Sequence, residues 1–180
     1  MGHGRPSEGD GPPTGYPESR RALCLSFRNS PNKGARMIHP ATEVGFVSDT
    51  IGYGVFATAR IPKGTITYVE DIFDIRVSPQ AFAALDTGYR EILDKYSCID
   101  VAGTRIMSWD HAKYMNHSCN CNTIDTAYCF EIAIRDIEPG EEITDEYGLF
   151  NISEEVDLAC KCPSCRGKLR PSDIDIYHPV

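Results

Sequence analysis

Tyr114-Met115-Asn116-His117-Ser118-Cys119-Asn120-Cys121-Asn122 is the stretch on which the reading of this chain turns. Asparagine, histidine, serine and cysteine crowd together in it, and their side chains can supply both donors and acceptors. Such groups packed beside a core need partners, either from the chain or from a ligand. On composition alone, a hydrogen-bonded loop accounts for them more readily than a site does.

Three other stretches carry chemistry. Upstream, Ile51-Gly52-Tyr53-Gly54-Val55-Phe56-Ala57 contains a Gly-x-Gly without the third glycine and following helix of a dinucleotide fingerprint. It still marks a place where backbone can approach a ligand closely. Downstream, Gly140-Glu141-Glu142-Ile143-Thr144-Asp145-Glu146-Tyr147-Gly148 ends an acidic strand on a tyrosine, which could orient a nucleophile; taken alone it reads as an ordinary half-buried tyrosine. Near the end, Cys160-Lys161-Cys162-Pro163-Ser164-Cys165 packs three thiols together, a pattern of metal binding before disulfides. Structural zinc takes four ligands, so a fourth must come from elsewhere. Cys24, Cys98 and Cys129 read as ordinary buried thiols.

The surrounding chain sets the frame. Its 180 residues, 41% hydrophobic, suffice for a single real core. No apolar run approaches the roughly 20 residues of a membrane-spanning helix. The apolar part of Arg20–Phe27 is too short for a secretory signal. The expected location is therefore cytosol or nucleus, with no membrane partner. The net charge is −8. Residues 1–36 hold Arg5, Arg20, Arg21, Arg28, Lys33 and Arg36 against Glu8, Asp10 and Glu18, a balance of +3 that leaves −11 on the remainder. An acidic domain repels phosphate backbones and attracts basic peptides. Direct nucleic-acid binding by the folded part is not expected.

Residues 1–20, rich in Gly, Pro, Ser and charge, read as disordered, within an N-terminal segment 1–36. Strands are expected at Glu43–Ser48, Tyr53–Thr58, Thr65–Glu70, Ser97–Val101, Arg105–Ser108, Tyr128–Ile134 and Glu142–Tyr147. Ile61–Gly64 and Glu138–Gly140 carry turn residues. Ser78-Pro79 predicts a helix start running through Ala83 and Ala84 towards Leu93, with Gly88 dividing it into two pieces. Asp110–Met115 predicts a short helix. The class is a β-rich α+β domain, residues 37–150, followed by a cysteine-bearing tail, 151–180.

The first three stretches, in this order, resemble the SET-domain family of protein-lysine methyltransferases, and the Cys-x-Cys-x-x-Cys tail resembles a post-SET segment. The resemblance spans roughly Thr42 to Lys168. It implies small curved β-sheets closed by a C-terminal pseudoknot, an exception to unthreaded chains. It implies S-adenosylmethionine on one face and a lysine entering by a narrow channel from the other. By position, Gly52, Tyr53, Gly54, Asn116, His117 and Tyr147 would bind the methyl donor. Tyr147 would be the catalytic tyrosine. Tyr96, on the strand before the Asn-His-Ser-Cys motif, would share the catalytic role and line the lysine channel together with Asp145. One structural zinc would be held by Cys119, Cys160, Cys162 and Cys165, with Cys121 a rival for the Cys119 corner.

This chemistry suits a basic protein or peptide, with a histone tail as one instance. Lysine is mostly protonated and inert at neutral pH, with a pKa of about 10.4, and a desolvating aromatic channel lowers that value. Two departures from the family pattern stand out. Asp145 occupies a position usually aromatic, and Cys121 stands where proline is usual. The spacing between Cys162 and Cys165 is also shorter than is common in the family. A catalytically silent SET-like module that binds a protein partner is the alternative reading.

Overall fold

A computed structural model describes residues 37–126, 128–158, 160 and 162–177; the N-terminal segment 1–36, with Cys24, lies outside the described residues. Short strands in three small sheets and one hairpin surround a single core. The first sheet is formed by β1 (Thr42–Ser48) and β2 (Gly52–Ala57), which pair antiparallel. Two further sheets are built from β3 (Ile66–Val69), β4 (Ile75–Val77), β5 (Cys98–Ile99), β6 (Arg105–Met107), β8 (Thr123–Asp125) and β9 (Phe130–Ala133), with β7 (Asn116–His117) lying between β6 and β8 in sequence. Their orders are β3-β9-β8 and β4-β6-β5, while β7 joins the first sheet.

The late strand β10 (Glu142–Asp145) inserts between early ones. It pairs antiparallel with β2 and parallel with β7, giving the order β1-β2-β10-β7. This one insertion brings the three central sequence stretches side by side.

The core gathers Val55, Ala57, Ile61, Met115, Ala133, Ile137 and Ile143, with Tyr68 and Tyr114 packed on it. Val55, Ile61, Ile137 and Ile143 are essentially inaccessible, each contributing about 1.5–3 kcal/mol by leaving water. Ile61 and Ile137 exchange two backbone hydrogen bonds of 2.9 Å. That bridge sets the two expected turns beside each other. Each ends on a glycine with positive φ, Gly64 at 84° and Gly140 at 81°, where a side chain would be strained.

Helix α1 (Pro79–Ala84) starts as expected, with the Ser78 hydroxyl accepting from the Ala81 N–H at 3.2 Å. The helix does divide, but at Leu85–Asp86 and not at Gly88. Asp86 caps α2 (Thr87–Tyr96) by accepting from the Tyr89 N–H, so a capping carboxylate decides the break. Tyr96 therefore ends a helix, where a strand was expected. The Asp110 carboxylate likewise caps a single 3₁₀ turn, His111–Tyr114. In the tail, β11 (Val156–Asp157) pairs with β12 (Lys168–Leu169), followed by α3 (Asp173–Tyr177).

Among the cysteines, the Cys98 thiol donates to the Ile106 carbonyl at 3.6 Å, and burial pushes its pKa up to about 12. Cys129 is disulfide-bonded, contrary to its expected role as a plain thiol.

Candidate active site and metal centre

Strands β7 and β10 form a wall between two cavities. The period of two along a strand sends alternate side chains to opposite sides. Glu142 and Thr144 face a cavity of about 350 Å³, also lined by Asn116, His117 and Ser118. Met115, Asp145 and Tyr147 line a larger recess of about 850 Å³ on the other side, with Tyr96.

On the smaller side, polar groups answer one another. The Asn116 amide donates to the Tyr53 carbonyl at 3.0 Å and to Glu142 Oε1 at 2.8 Å. Gly54 makes this approach feasible: a Cβ there would fall 2.5 Å from Glu142 Oε1 and 2.7 Å from Val47 Cγ2. Asn122, buried, stitches the wall by donating to the Glu142 carbonyl and accepting from the Thr144 N–H.

His117 Nδ1 accepts the Tyr147 backbone N–H at 3.2 Å. Its proton therefore sits on Nε2, which lies 3.3 Å from Cys119 Sγ. Burial holds the His117 pKa below its ordinary value, favouring this neutral ring despite Glu146 nearby.

Of the residues expected at the donor site, Asn116 and His117 line the smaller cavity. Gly52, Tyr53 and Gly54 are not in its lining; Val47, Ser48 and Ile51 occupy that edge. The Tyr53 ring is exposed and meets Phe46 and Tyr114 edge-on.

Tyr147 does not end β10 but opens the turn after it. Its hydroxyl donates to the Met115 carbonyl at 2.5 Å, and its ring lies 5.1 Å from the Phe150 ring, tilted by 33°. Burial raises its pKa, so the hydroxyl stays protonated. Tyr96 packs edge-on against Tyr114 at 5.6 Å. Asp145 is 1% exposed; its Oδ1 accepts from the Glu146 N–H at 2.7 Å, while Oδ2 has no hydrogen-bond partner. Burial pushes its pKa up to about 7.

The tail cysteines converge on the smaller cavity, which Cys160 and Cys162 line. Ligand atoms of His117, Cys119 and Cys160 lie within 4.8 Å of one another. His117 is a poor metal ligand here, because the Tyr147 N–H takes Nδ1 and leaves the proton on Nε2. Backbone N–H groups point at the sulfurs: Cys162 to Cys160, Arg166 to Cys119 and Gly167 to Cys165, each at 3.4 Å. The Arg166 contact draws the residue after Cys165 against Cys119. Cys121 makes no such contact; burial, with Asp145 and Glu146 beside it, raises its thiol to about 12. Cys119 and Cys160 belong to that close group with His117, Cys162 shares the cavity lining with Cys160, and Cys165 lies outside both.

Sequence reading missed the clamp that holds the tail in place. The Arg166 guanidinium donates twice to the Glu146 carboxylate, at 2.8 and 2.6 Å, and lies 3.5 Å from Asp173. A bidentate, nearly buried pair fixes orientation as well as distance. Its only sequence signal is an arginine one residue past the last cysteine.

Residues 52–148, more than half of the chain, match the family model described as SET domain. The chain belongs to the SET-domain family. It is 32% identical over 137 residues to histone-lysine N-methyltransferase ash1 of Drosophila melanogaster, covering 68% of this chain and 6% of that protein. It is 25% identical over 135 residues to putative histone-lysine N-methyltransferase ASHH4 of Arabidopsis thaliana, covering 68% of this chain and 38% of that one. The chain thus spans well under half the length of these relatives. Among solved structures, KRYPTONITE in complex with mCHG DNA and SAH aligns with a TM-score of 0.51 at 21% identity, covering 75% of this chain and 30% of that chain. At that identity, the shared property is the fold. No helix among the described residues is long and apolar enough to cross a membrane.

Proposed function

We propose that this chain transfers methyl groups from S-adenosylmethionine to a lysine of a basic, histone-like protein segment. The observation that carries this is the β7–β10 wall, with Asn116 and His117 on one side and Tyr96 and Tyr147 on the other. Such a wall suits a reaction in which two substrates meet from opposite faces. When bound, S-adenosylmethionine supplies a methyl group on a positively charged sulfur. Asn116, His117 and Ser118 would hold it, beside the strand that Gly54 lets lie flat.

On the recess side, Tyr96 and Tyr147 would strip water from the entering lysine, which disfavours its ammonium form. Holding the amine in line then removes much of the entropic barrier. The Tyr147 hydroxyl, protonated and anchored on Met115, would orient the reacting groups. One structural zinc on Cys119, Cys160, Cys162 and Cys165 would tie the tail to the donor side. A histone-like substrate would place the chain in the nucleus, and the relatives' printed names support that reading.

Incubation with labelled methyl donor and a panel of basic proteins, histones included, tests the reaction. Mass spectrometry should find the label on lysine. No transfer to any of them would leave a SET-like binding module.

A further inference from the structure

The large recess carries acids of two kinds. Some are already answered by the chain's own arginines. Glu70 pairs with Arg76, and Asp94 lies 2.5 Å from Arg105. Of the remaining five, Asp100 accepts from two backbone N–H groups and Glu154 is exposed, while Asp125, Glu131 and Asp145 cluster with no ion pair among the described residues. Asp125 and Glu131 are cross-strand partners on β8 and β9, and Asp145 faces them from β10. Glu131 Oε2 and Asp145 Oδ2 are both buried without a hydrogen-bond partner. Asp145 is 1% exposed. An orphaned buried carboxylate oxygen keeps its desolvation cost uncompensated. Two of them in one cavity, beside a third acid, describe a place left open for a donor.

The space also exceeds what one lysine needs. About 850 Å³ lies in the range of pockets that take a drug-sized molecule, far beyond a single alkyl chain. Tyr96 and Tyr147 occupy part of this recess, and the three carboxylates form an acidic floor beside Tyr147. A guanidinium suits that floor better than an ammonium. It offers five donors in a rigid plane, is more weakly hydrated, and can bridge several carboxylates at once. Two acids lining the recess are already paired with arginine, Glu70 with Arg76 and Asp94 with Arg105.

We propose that Asp125, Glu131 and Asp145 form a second substrate subsite, which takes the guanidinium of an arginine lying close to the target lysine. This deepens the methyltransferase reading and rests on it for the word substrate; the binding itself does not. The pairing is electrostatic complementarity of a buried kind, so it would act on which basic segment is held, and on how long.

Binding of small probes tests this without any methyl transfer. The full chain is titrated with n-butylguanidinium, n-butylammonium or neutral butyramide at low millimolar concentration, and thermal stability is followed. Butylguanidinium should raise Tm saturably, butylammonium less, and butyramide not at all. Glu131→Gln keeps the shape and removes a carboxyl that a bound guanidinium would ionise, so the apparent affinity should fall at least about tenfold, the size of one lost charged hydrogen bond. Asp125→Asn, on the paired strand, should show the same loss and serves if Glu131→Gln does not fold. Tyr147→Phe should leave probe binding unchanged even where turnover falls. No saturable rise, an equal rise in the carboxylate variants, or a stronger response to butylammonium would each overturn the arginine subsite. A chain that binds butylguanidinium yet transfers no methyl group would keep the subsite and lose the reaction.

Discussion

Both faces of the β7–β10 wall carry a carboxylate, and the two are treated in opposite ways. Glu142, on the smaller cavity, is met by the Asn116 amide. Asp145, on the recess, keeps one oxygen unpaired, with Asp125 and Glu131 half-buried nearby. The first face is finished by the chain itself: its polar groups are satisfied and its geometry is set before any ligand arrives. The second face is left incomplete, and in the proposed subsite a guanidinium completes it. A donor of fixed structure can be met by a pre-formed site. Protein substrates vary, and on this reading an acidic, roomy recess would select among them by charge.

Removing the metal should break the finished face first and give the largest effect. Cys160 and Cys162 line the smaller cavity, so their zinc would support the donor side directly. Structural zinc contributes on the order of 10 kcal/mol to the segment it folds. Metal analysis should find about one zinc per chain. Cys160→Ser should lose it, together with nearly all affinity for S-adenosylhomocysteine measured by calorimetry. Butylguanidinium binding in the recess should persist. Cys119→Ser should behave like Cys160→Ser, and Cys121→Ser should keep the metal. The reverse pattern would hand the fourth corner to Cys121.

Tyr147 stands at the border of the two faces, and a smaller effect is expected there. Tyr147→Phe removes a hydroxyl and almost no volume, leaving the ring contact with Phe150 in place. Turnover should drop by about tenfold or more, since each 1.36 kcal/mol lost from the transition state is a factor of ten. S-adenosylhomocysteine affinity should hardly change. A well-folded variant with full turnover would remove Tyr147 from the chemistry.

The finished face was far more legible in the sequence than the incomplete one. Asn116 and His117 were marked by a short local motif and do line the smaller cavity, while Gly52, Tyr53 and Gly54, marked in the same way, do not. The acidic floor gave no such signal. Asp125 and Glu131 lie on strands whose alternation is too short to read, and Asp145 joins them only because β10 inserts beside β7. The β-branched Ile99 and Val101 make Ser97–Val101 read as a strand reaching back to Tyr96; the cap at Asp86 extends a helix over Tyr96 instead. The Arg166–Glu146 clamp was hidden for the same reason. Its partners are 20 residues apart and meet through the fold.

A third expectation sharpens the incomplete face through pH. Burial raises Asp125 to about 8 from an ordinary 3.8, and Asp145 to about 7, so the folded chain keeps protons that the unfolded chain has released. Stability should therefore fall as pH rises towards 8. His117, lowered by burial, acts in the opposite sense, but only below about 6.5. Between pH 6.5 and 8 the acids should dominate. The loss is roughly 1–2 kcal/mol at 1.36 kcal/mol per unit, because the three acids share their protons. Chemical denaturation at the two pH values measures it. Asp125→Asn should flatten the slope and be more stable than the parent at pH 8. A parent whose stability is flat over this range would mean the floor is already hydrated or paired.

The smallest effect concerns which product forms, not how fast. Asp145 lines the recess beside Tyr147, so its carboxylate can accept N–H donors from an amine held there. A carboxylate near the nitrogen also stabilises the ammonium, which opposes reaction. Each methyl group added removes one N–H, so an acceptor fitted to those donors loses its hold on the methylated product. Asp145 should therefore bias the enzyme towards mono- and dimethylation. Asp145→Phe removes the acceptor and lines the recess with an aromatic face, which attracts a methylated ammonium as well as an unmethylated one. The recess has room for the larger side chain. The distribution of masses on one peptide should shift towards higher methylation while total turnover changes little. An unchanged distribution would mean that Asp145 serves only the acidic floor, and that the room around the lysine nitrogen is set by Tyr96 and Tyr147.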